Sequence, residues 1–142
     1  MIQEAYCSYK VARLLKEKGF DELCNKKYNG NKNIVSAGKM IELWQNSEFD
    51  NDEECSAPTH QMVMRWLREV HNIFIEISTR IDTNGKYHFS YSILDKKCKY
   101  IIIGYTDLDW NYEEAVEAAL KYVLETQLKS QCTEDDEKEE DK

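Results

Sequence analysis

Residues 59–128 constrain the fold most, because they predict a helix, three strands and a second helix in succession. Isoleucines alternate with other residues over 73–81, and a period of two is typical of a strand with one buried face. Apolar residues at helical spacing predict the two helices. The five elements are predicted at 60–71, 73–81, 87–94, 100–106 and 112–129.

Residues with special backbone preferences mark where these elements begin and end. Thr59 and Asn111 can each cap the first turn of a helix, because their side-chain oxygens accept from free backbone N–H groups. Asn72 tolerates the left-handed conformation that closes a helix. Asn84-Gly85 predicts the turn between the first two strands, since both residues accept a positive φ. These boundaries favour an antiparallel sheet with helices before and after it in the chain.

The N-terminal third predicts one further helix and a region that is harder to interpret. Apolar residues follow helical spacing over 9–18, between Ser8 as the N-cap and Gly19 as a left-handed residue after the last turn. Residues 37–46 could form a short helix, whereas the acidic run 48–54 predicts a loop.

The predicted fold class is α+β, with a three-stranded antiparallel sheet packed by helices in the order α-(loop/short α)-α-β-β-β-α. The helices over 60–71 and 112–129 are expected on one face of that sheet. Residues 1–129 are expected to form a single domain in which 21–55 is poorly ordered. Residues 130–142 are predicted to be a disordered acidic tail.

Charge is unevenly spread along the chain, whose formal net charge is −8. Residues 133–142 hold seven acids and two lysines, and residues 40–55 hold six acids and no base. Residues 10–39 hold eight Lys/Arg against three acids. The acidic balance therefore belongs to the tail and to 40–55, and it says little about partners.

The cysteines and the apolar runs indicate a cytoplasmic protein. The five cysteines are odd in number, widely spaced and without a C-x-x-C pair, which argues against a secreted disulfide scaffold. Residues 1–10 lack the apolar core of a signal peptide. The longest apolar run, 100–103, is far too short to span a bilayer.

Motifs for catalysis, metals and cofactors are missing from the sequence. It has no P-loop, no dinucleotide-binding glycine pattern and no nucleophile elbow. His60 and His71 lie about 16 Å apart along one predicted helix and cannot share an ion. Residues 107–111 begin like a calcium loop, but Tyr112 and Ala118 stand where that loop requires Gly and Glu. The sequence therefore predicts a non-enzymatic protein with no cofactor and no metal.

The order helix–three strands–helix is also that of double-stranded-RNA-binding domains, in which the last helix begins with a lysine cluster that lies across phosphates. The same position here holds Glu113, Glu114 and Glu117. Phosphate binding is electrostatic, so these carboxylates oppose it. The order of elements is thus a structural prediction, and the sequence argues against nucleic acid as a partner.

A second nucleic-acid hypothesis rests on the basic stretch 10–39. Its candidate contacts are Lys10, Arg13, Lys26, Lys27 and Tyr28, of which the tyrosine could stack on a base. Charged residues along a helix are more often a solvated face. Nucleic-acid binding through this stretch is therefore kept as an alternative.

The outer side of the predicted sheet is the first candidate for a binding surface. Alternation places one set of side chains opposite the apolar set. That set contains Phe74, Glu76, Arg80, His88, Ser90 and Ser92. A polar outer face is also what an antiparallel sheet needs in water, and the first helix or residues 21–55 could cover it. Binding on this face is thus a hypothesis that the residue pattern permits.

Three segments resemble a group of short uncharacterised proteins of bacteriophages and prophages of gut anaerobes. They are SYKVARLLKEKGFDE at 8–22, APTHQMVMRWLREVHN at 57–72 and YEEAVEAALKY at 112–122, together roughly a third of the chain. The resemblance implies an intracellular accessory role in a phage or mobile element. It brings no catalytic residue, and the long tail after Leu128 departs from the group.

Taken together, these observations predict a cytoplasmic, non-enzymatic interaction protein. The first hypothesis is that the chain binds a protein partner or associates with itself, as a homodimer through the apolar strand over 100–106. One alternative is a nucleic-acid-binding accessory protein that uses 10–39. Another is an inhibitor of a host protein, whose basic surface would meet the acidic residues of this chain.

Overall fold

A computed structural model describes residues 1–36, 43–95, 100–105 and 111–128, and for 100–105 and residue 127 it describes the backbone alone. The described residues form an α+β protein with three α-helices and antiparallel sheets, which confirms the predicted class. The chain divides into two compact units, 1–65 and 66–142. The expectation of one domain over 1–129 stays a prediction, and the predicted tail lies outside the described residues.

The first unit begins with helix α1, Tyr9–Glu17, which has the predicted caps. The Ser8 hydroxyl accepts from the backbone N–H of Val11 at 3.3 Å. Gly19 has a φ of +88°, a left-handed value that lets the chain leave the helix without strain. Leu15 and the following Phe20 are fully buried, so the helix contributes its apolar face to the core of this unit.

The first unit contains a small sheet that was not predicted from the sequence. It consists of β1 (Lys26–Tyr28), β2 (Ile34–Ser36) and β3 (Cys55–Ser56), paired antiparallel in the order β2-β1-β3. The prediction that 21–55 is poorly ordered is therefore wrong for its described part. Strands of two or three residues are too short to show alternation. In addition, β3 pairs with β1 far along the chain, with Tyr28 opposite Cys55.

The short helix predicted over 37–46 fails where the structure describes it. Residues 37–42 lie outside the described ranges. Trp44 instead pairs with Cys24 as an antiparallel bridge, with N–H···O distances of 2.8 and 2.7 Å. Asn46 then opens a 3₁₀ turn, donates to the Phe20 carbonyl at 2.7 Å and accepts from Ser56 N–H at 2.8 Å. These non-local hydrogen bonds take the place of those within a helix.

Helix α2, His60–His71, has the predicted bounds and caps. The Thr59 hydroxyl accepts from the backbone N–H of Met62 at 3.2 Å, and Asn72 ends the helix with a φ of +55°. Leu67 is fully buried, as its spacing predicts, but Val70 is 56% exposed. Helical spacing shows on which side of a helix a residue lies, but it does not show how far the core extends along the helix.

The second unit contains the predicted three-stranded antiparallel sheet. Its strands are β4 (Ile73–Ile81), β5 (Tyr87–Asp95) and β6 (Tyr100–Tyr105), in the order β4-β5-β6. The predicted turn at Asn84-Gly85 is confirmed, with the positive φ of +78° at Gly85. The Gly85 N–H donates to the Asp82 carbonyl at 3.0 Å, which closes the turn.

Helix α3, Tyr112–Tyr122, packs on β4 and β5 as expected and continues as a π-helical turn, Val123–Gln127. The Asn111 side chain accepts from Glu114 N–H at 2.8 Å, which confirms the predicted N-cap. Tyr112 and Tyr122 contact Phe89 and Tyr91 of β5, with ring centroids 6.1 and 6.4 Å apart. Every helix among the described residues is too short or too polar to span a bilayer.

Candidate binding surface

The hairpin register brings the six predicted sheet residues together on the side opposite α3. Residues directly across an antiparallel pair have their side chains on the same face. Four such rows lie between β4 and β5. The residues of these rows, here called the outer face, are Phe74 with Leu94, Glu76 with Ser92, Ser78 with Ser90, and Arg80 with His88. The sequence had not singled out Ser78 and Leu94, although the same alternation includes them.

An exposed apolar pair lies at one end of the outer face. Phe74 and Leu94 are opposite each other, and each is 44% exposed. The backbone register continues the row into β6 at Ile101. Single exposed apolar residues are common on protein surfaces, but adjacent ones mark an interaction site more often. This end of the face can therefore anchor an apolar group of a partner.

The middle of the outer face is small and polar. Ser78 is exposed, and Ser90 and Ser92 are half-buried. Glu76 and Arg80 are both exposed on β4, where four residues of strand separate them by about 13 Å, too far for an ion pair within one chain. Among the described residues, neither takes part in an ion pair such as Lys27–Glu54 or His88–Asp82. The side chains of Glu76 and Arg80 are thus exposed to solvent, and the serines between and beside them are short.

The hairpin loop holds the other end of the outer face in place. One Asp82 carboxylate oxygen accepts from the backbone N–H groups of Asn84 and Lys86, at 2.8 and 3.0 Å. The other accepts from His88 Nε2 at 2.7 Å. The His88 hydrogen bond is the main reason why the pKa of Asp82 falls to about 2. Asp82 fixes both the loop and the orientation of His88; its position at the start of a turn was the signal that could have identified it.

Part of the basic stretch that was kept as a nucleic-acid alternative is engaged within this chain. Tyr28 is only 9% exposed, and its hydroxyl donates to the Cys7 carbonyl at 2.6 Å. The Tyr9 ring packs against it edge to face, with centroids 5.5 Å apart. The expectation that Tyr28 stacks on a base is wrong, because the ring is a core side chain whose burial depends on contacts distant in sequence.

The acidic run engages the lysines of the basic stretch. Lys27 Nζ lies 2.9 Å from a Glu54 carboxylate oxygen and 5.3 Å from the ring centres of Trp44 and Phe49. The hydrogen bond from Lys27 is the main cause of the lowered pKa of Glu54. Lys16 donates to the Glu54 carbonyl at 2.8 Å and also to the Asn51 carbonyl. One ion pair, Lys27–Glu54, and the two backbone contacts of Lys16 therefore connect the two charge blocks of the sequence.

Lys26, another candidate nucleic-acid contact of this stretch, has its Nζ 4.3 Å from the centre of the Tyr6 ring. Such a cation–π contact stabilises a lysine without a carboxylate. Lys10 and Arg13 are exposed on α1. Of the five predicted contacts, Lys26 and Lys27 thus already contact groups of this chain, and Tyr28 is buried.

The described cysteines are buried thiols. Cys7, Cys24 and Cys55 form no disulfide and are buried. Burial raises the pKa of Cys24 and of Cys55 to about 11, so both remain protonated and weakly nucleophilic at neutral pH. The bridge between Tyr6 and Thr59 brings the neighbouring Cys7 and His60 together, with a ring nitrogen within 4.8 Å of the sulfur. Sequence spacing could not predict that proximity.

No protein-family model, curated protein or solved structure matches this chain. The resemblance to phage proteins accordingly stays a prediction. Among the described residues, the outer face combines two exposed apolar side chains, Phe74 and Leu94, with the exposed charges of Glu76 and Arg80.

Proposed function

We propose that this is a non-enzymatic binding protein that docks a protein partner on the outer face. The observation that carries the proposal is the Phe74–Leu94 pair, two large apolar side chains held opposite each other with 44% of each exposed. Protein interfaces combine apolar anchors with a polar rim. Here the serine rows and the charges of Glu76 and Arg80 supply that rim.

The rigidity of the face supports the same proposal. Its side chains stand on two nine-residue strands in continuous register, from Ile73–Asp95 to Ile81–Tyr87. Asp82 closes the hairpin with three hydrogen bonds. A surface that is already ordered loses little conformational entropy when a partner binds, which favours affinity.

Charge and burial favour a protein partner over nucleic acid. Tyr28 is buried, and Lys27 is paired with Glu54. Helix α3 begins with Glu113 and Glu114, both exposed. Carboxylates at a helix N-terminus repel phosphate rather than bind it, so the described residues offer no concentrated cationic track.

The cellular setting of the proposal is a cytoplasmic accessory role in a phage or mobile element. Its support is the resemblance over 8–22, 57–72 and 112–122, together with the absence of a disulfide at Cys7, Cys24 and Cys55. Thiols that form no disulfide suit a reducing compartment. This setting limits the expected partners to proteins of the same compartment.

Site-specific photo-crosslinking tests the proposal. A benzophenone amino acid replaces Phe74 in one variant and Leu23 in a control; Leu23 is 48% exposed in the first unit. Both variants are irradiated in extracts of cells that produce the protein. We expect a discrete adduct from position 74 that excess unlabelled protein removes, and none from position 23. Absence of an adduct at position 74, or equal labelling from both positions, would contradict the proposal.

A further inference from the structure

We infer that the partner on the outer face is a second copy of this chain, related by a two-fold axis, with Glu76 of each copy opposite Arg80 of the other. The inference rests on the proposed function, since it identifies the occupant of the same face. It differs from the sequence hypothesis of a dimer through the strand at 100–106, because it uses the face of the sheet rather than its edge.

The positions of the charges on β4 carry the inference. Glu76 and Arg80 lie two residues to either side of Ser78, so each is about 7 Å from the level of Ser78 along the strand. A two-fold axis between two stacked sheets, perpendicular to the strands and level with Ser78, exchanges these positions. It places Glu76 over the partner's Arg80, and the symmetry repeats the pair. One chain thus carries both halves of a self-complementary pattern.

Neither charge is compensated within its own chain. No ion pair of Glu76 or Arg80 is seen among the described residues, and both side chains are exposed. A foreign apolar surface docked on this face would leave both charges unpaired in the interface, which is costly. A second copy pairs each of them, so self-association is the occupant that the charges favour.

The serine rows permit the close approach that such a dimer requires. Sheets that pack face to face lie about 10 Å apart. Ser78 and Ser90 form the row through which the proposed axis passes, and Ser92 lies in the next row. Small side chains at the centre let the longer side chains of Glu76 and Arg80 reach across.

The size of the face sets the expected affinity. Its four rows extend about 20 Å along the strands, which is at the lower end of specific interfaces. We therefore expect a dimer that dissociates in the micromolar range or above. The assembly has to be examined over a wide range of protein concentration.

A charge-exchange experiment on the full chain tests the inference. Sedimentation velocity is measured from about 5 μM to about 1 mM, a range that covers weak association, for the wild type and for Glu76→Arg and Arg80→Glu. Each variant alone places like charges opposite one another in both symmetric pairs, so we expect dimerisation at least about tenfold weaker. In the equimolar mixture every pair is again opposite in charge, and a heterodimer with wild-type affinity should form.

The control is Glu4→Arg, which makes the same change in net charge at an exposed residue of the first unit and should dimerise as the wild type does. Recovery in the mixture also excludes misfolding, because two unfolded variants cannot restore each other. A wild type that is monomeric at every concentration, variants that dimerise unchanged, or a mixture that stays monomeric would each overturn the inference.

Mass spectrometry of the adduct formed at position 74 separates this inference from the proposed function. An adduct with a second copy supports both. An adduct with a different protein, together with a monomeric wild type, overturns the dimer and leaves the proposed function supported. No adduct at position 74 overturns the proposed function itself.

Discussion

Phe74 on β4 and Leu94 on β5 lie directly opposite each other, and each remains 44% exposed on the side of the sheet that α3 does not cover. Core residues of the same hairpin behave differently: Ile73 and Ile93 are buried. The hairpin therefore contributes one face to the core of the second unit and leaves Phe74 and Leu94 exposed on the other.

Replacing Phe74 with Ala should separate binding from stability. The exposed ring contributes mainly its cross-strand contact, so we expect the free energy of unfolding to change by less than about 1 kcal/mol. Partner binding should weaken at least about tenfold if Phe74 is an anchor of the interface. Urea denaturation and sedimentation of the same preparations measure the two effects. Leu23→Ala is the control, and a large loss of stability without a loss of association would assign Phe74 to folding instead.

Asp82 should make the stability of the hairpin depend on pH in acid. Its pKa is about 2 in the folded protein, against an ordinary value of 3.8. A lowered pKa means that its contribution is complete above about pH 4 and is lost as the pH falls from about 4 towards 2. The difference in melting temperature between the wild type and Asp82→Asn should thus shrink across that window.

The matched control for this measurement is Glu4→Gln, at an exposed carboxylate for which no hydrogen bond is seen in the described residues. Its difference from the wild type should stay flat over the same pH range. A wild-type advantage over Asp82→Asn that is unchanged at pH 2 would show that the hydrogen bonds of Asp82 do not favour its charged form.

His71 should destabilise the second unit at mildly acidic pH. Burial lowers the pKa of His71 below the ordinary 6.5. Its Nε2 is buried without a hydrogen-bond partner among the described residues, and the centre of its ring lies 4.6 Å from that of the Trp66 ring. The neutral form is favoured on folding, so this contribution is complete above pH 6.5 and is lost as the pH falls below it. Denaturation curves between pH 7.5 and pH 5 should lose stability more steeply for the wild type than for His71→Phe. Parallel curves would contradict the assignment.

Two neighbouring apolar residues of α2 should respond very differently to truncation. Leu67 is fully buried, so Leu67→Ala should lower the free energy of unfolding by about 2–5 kcal/mol. Val70 is 56% exposed, and Val70→Ala should change it by no more than about 0.5 kcal/mol. Urea titrations of the two variants measure both values. Similar losses would mean that the core extends to the last turn of the helix.

The second unit was predictable because its signals are local. Alternation over nine residues assigns Phe74 and Glu76 to one side of β4, and the turn at Gly85 fixes the register that pairs them with β5. The outer face follows from these two facts. Its membership was therefore accessible from sequence, while the exposure of Leu94 and the role of Asp82 needed the structure.

The first unit was less predictable because its structure depends on distant partners. Tyr28 is buried through a hydrogen bond to Cys7, and Lys27 is paired with Glu54, which lies 27 residues further along the chain. Neither contact produces a periodic residue pattern from which it could be predicted. The burial of Tyr28 and the ion pair of Lys27 therefore could not be predicted from the basic stretch alone.

Hydroxyl-radical footprinting tests most directly whether the outer face is covered by a partner. Leu94 and Leu23 are the same residue type with similar exposure, 44% and 48%, and they lie in different units. Oxidation rates are compared between dilute purified protein and protein in extracts of the cells that produce it. If a partner covers the outer face, Phe74 and Leu94 should become protected from oxidation in the extract, whereas Leu23 should not. Equal rates for Leu94 and Leu23 under both conditions would contradict it.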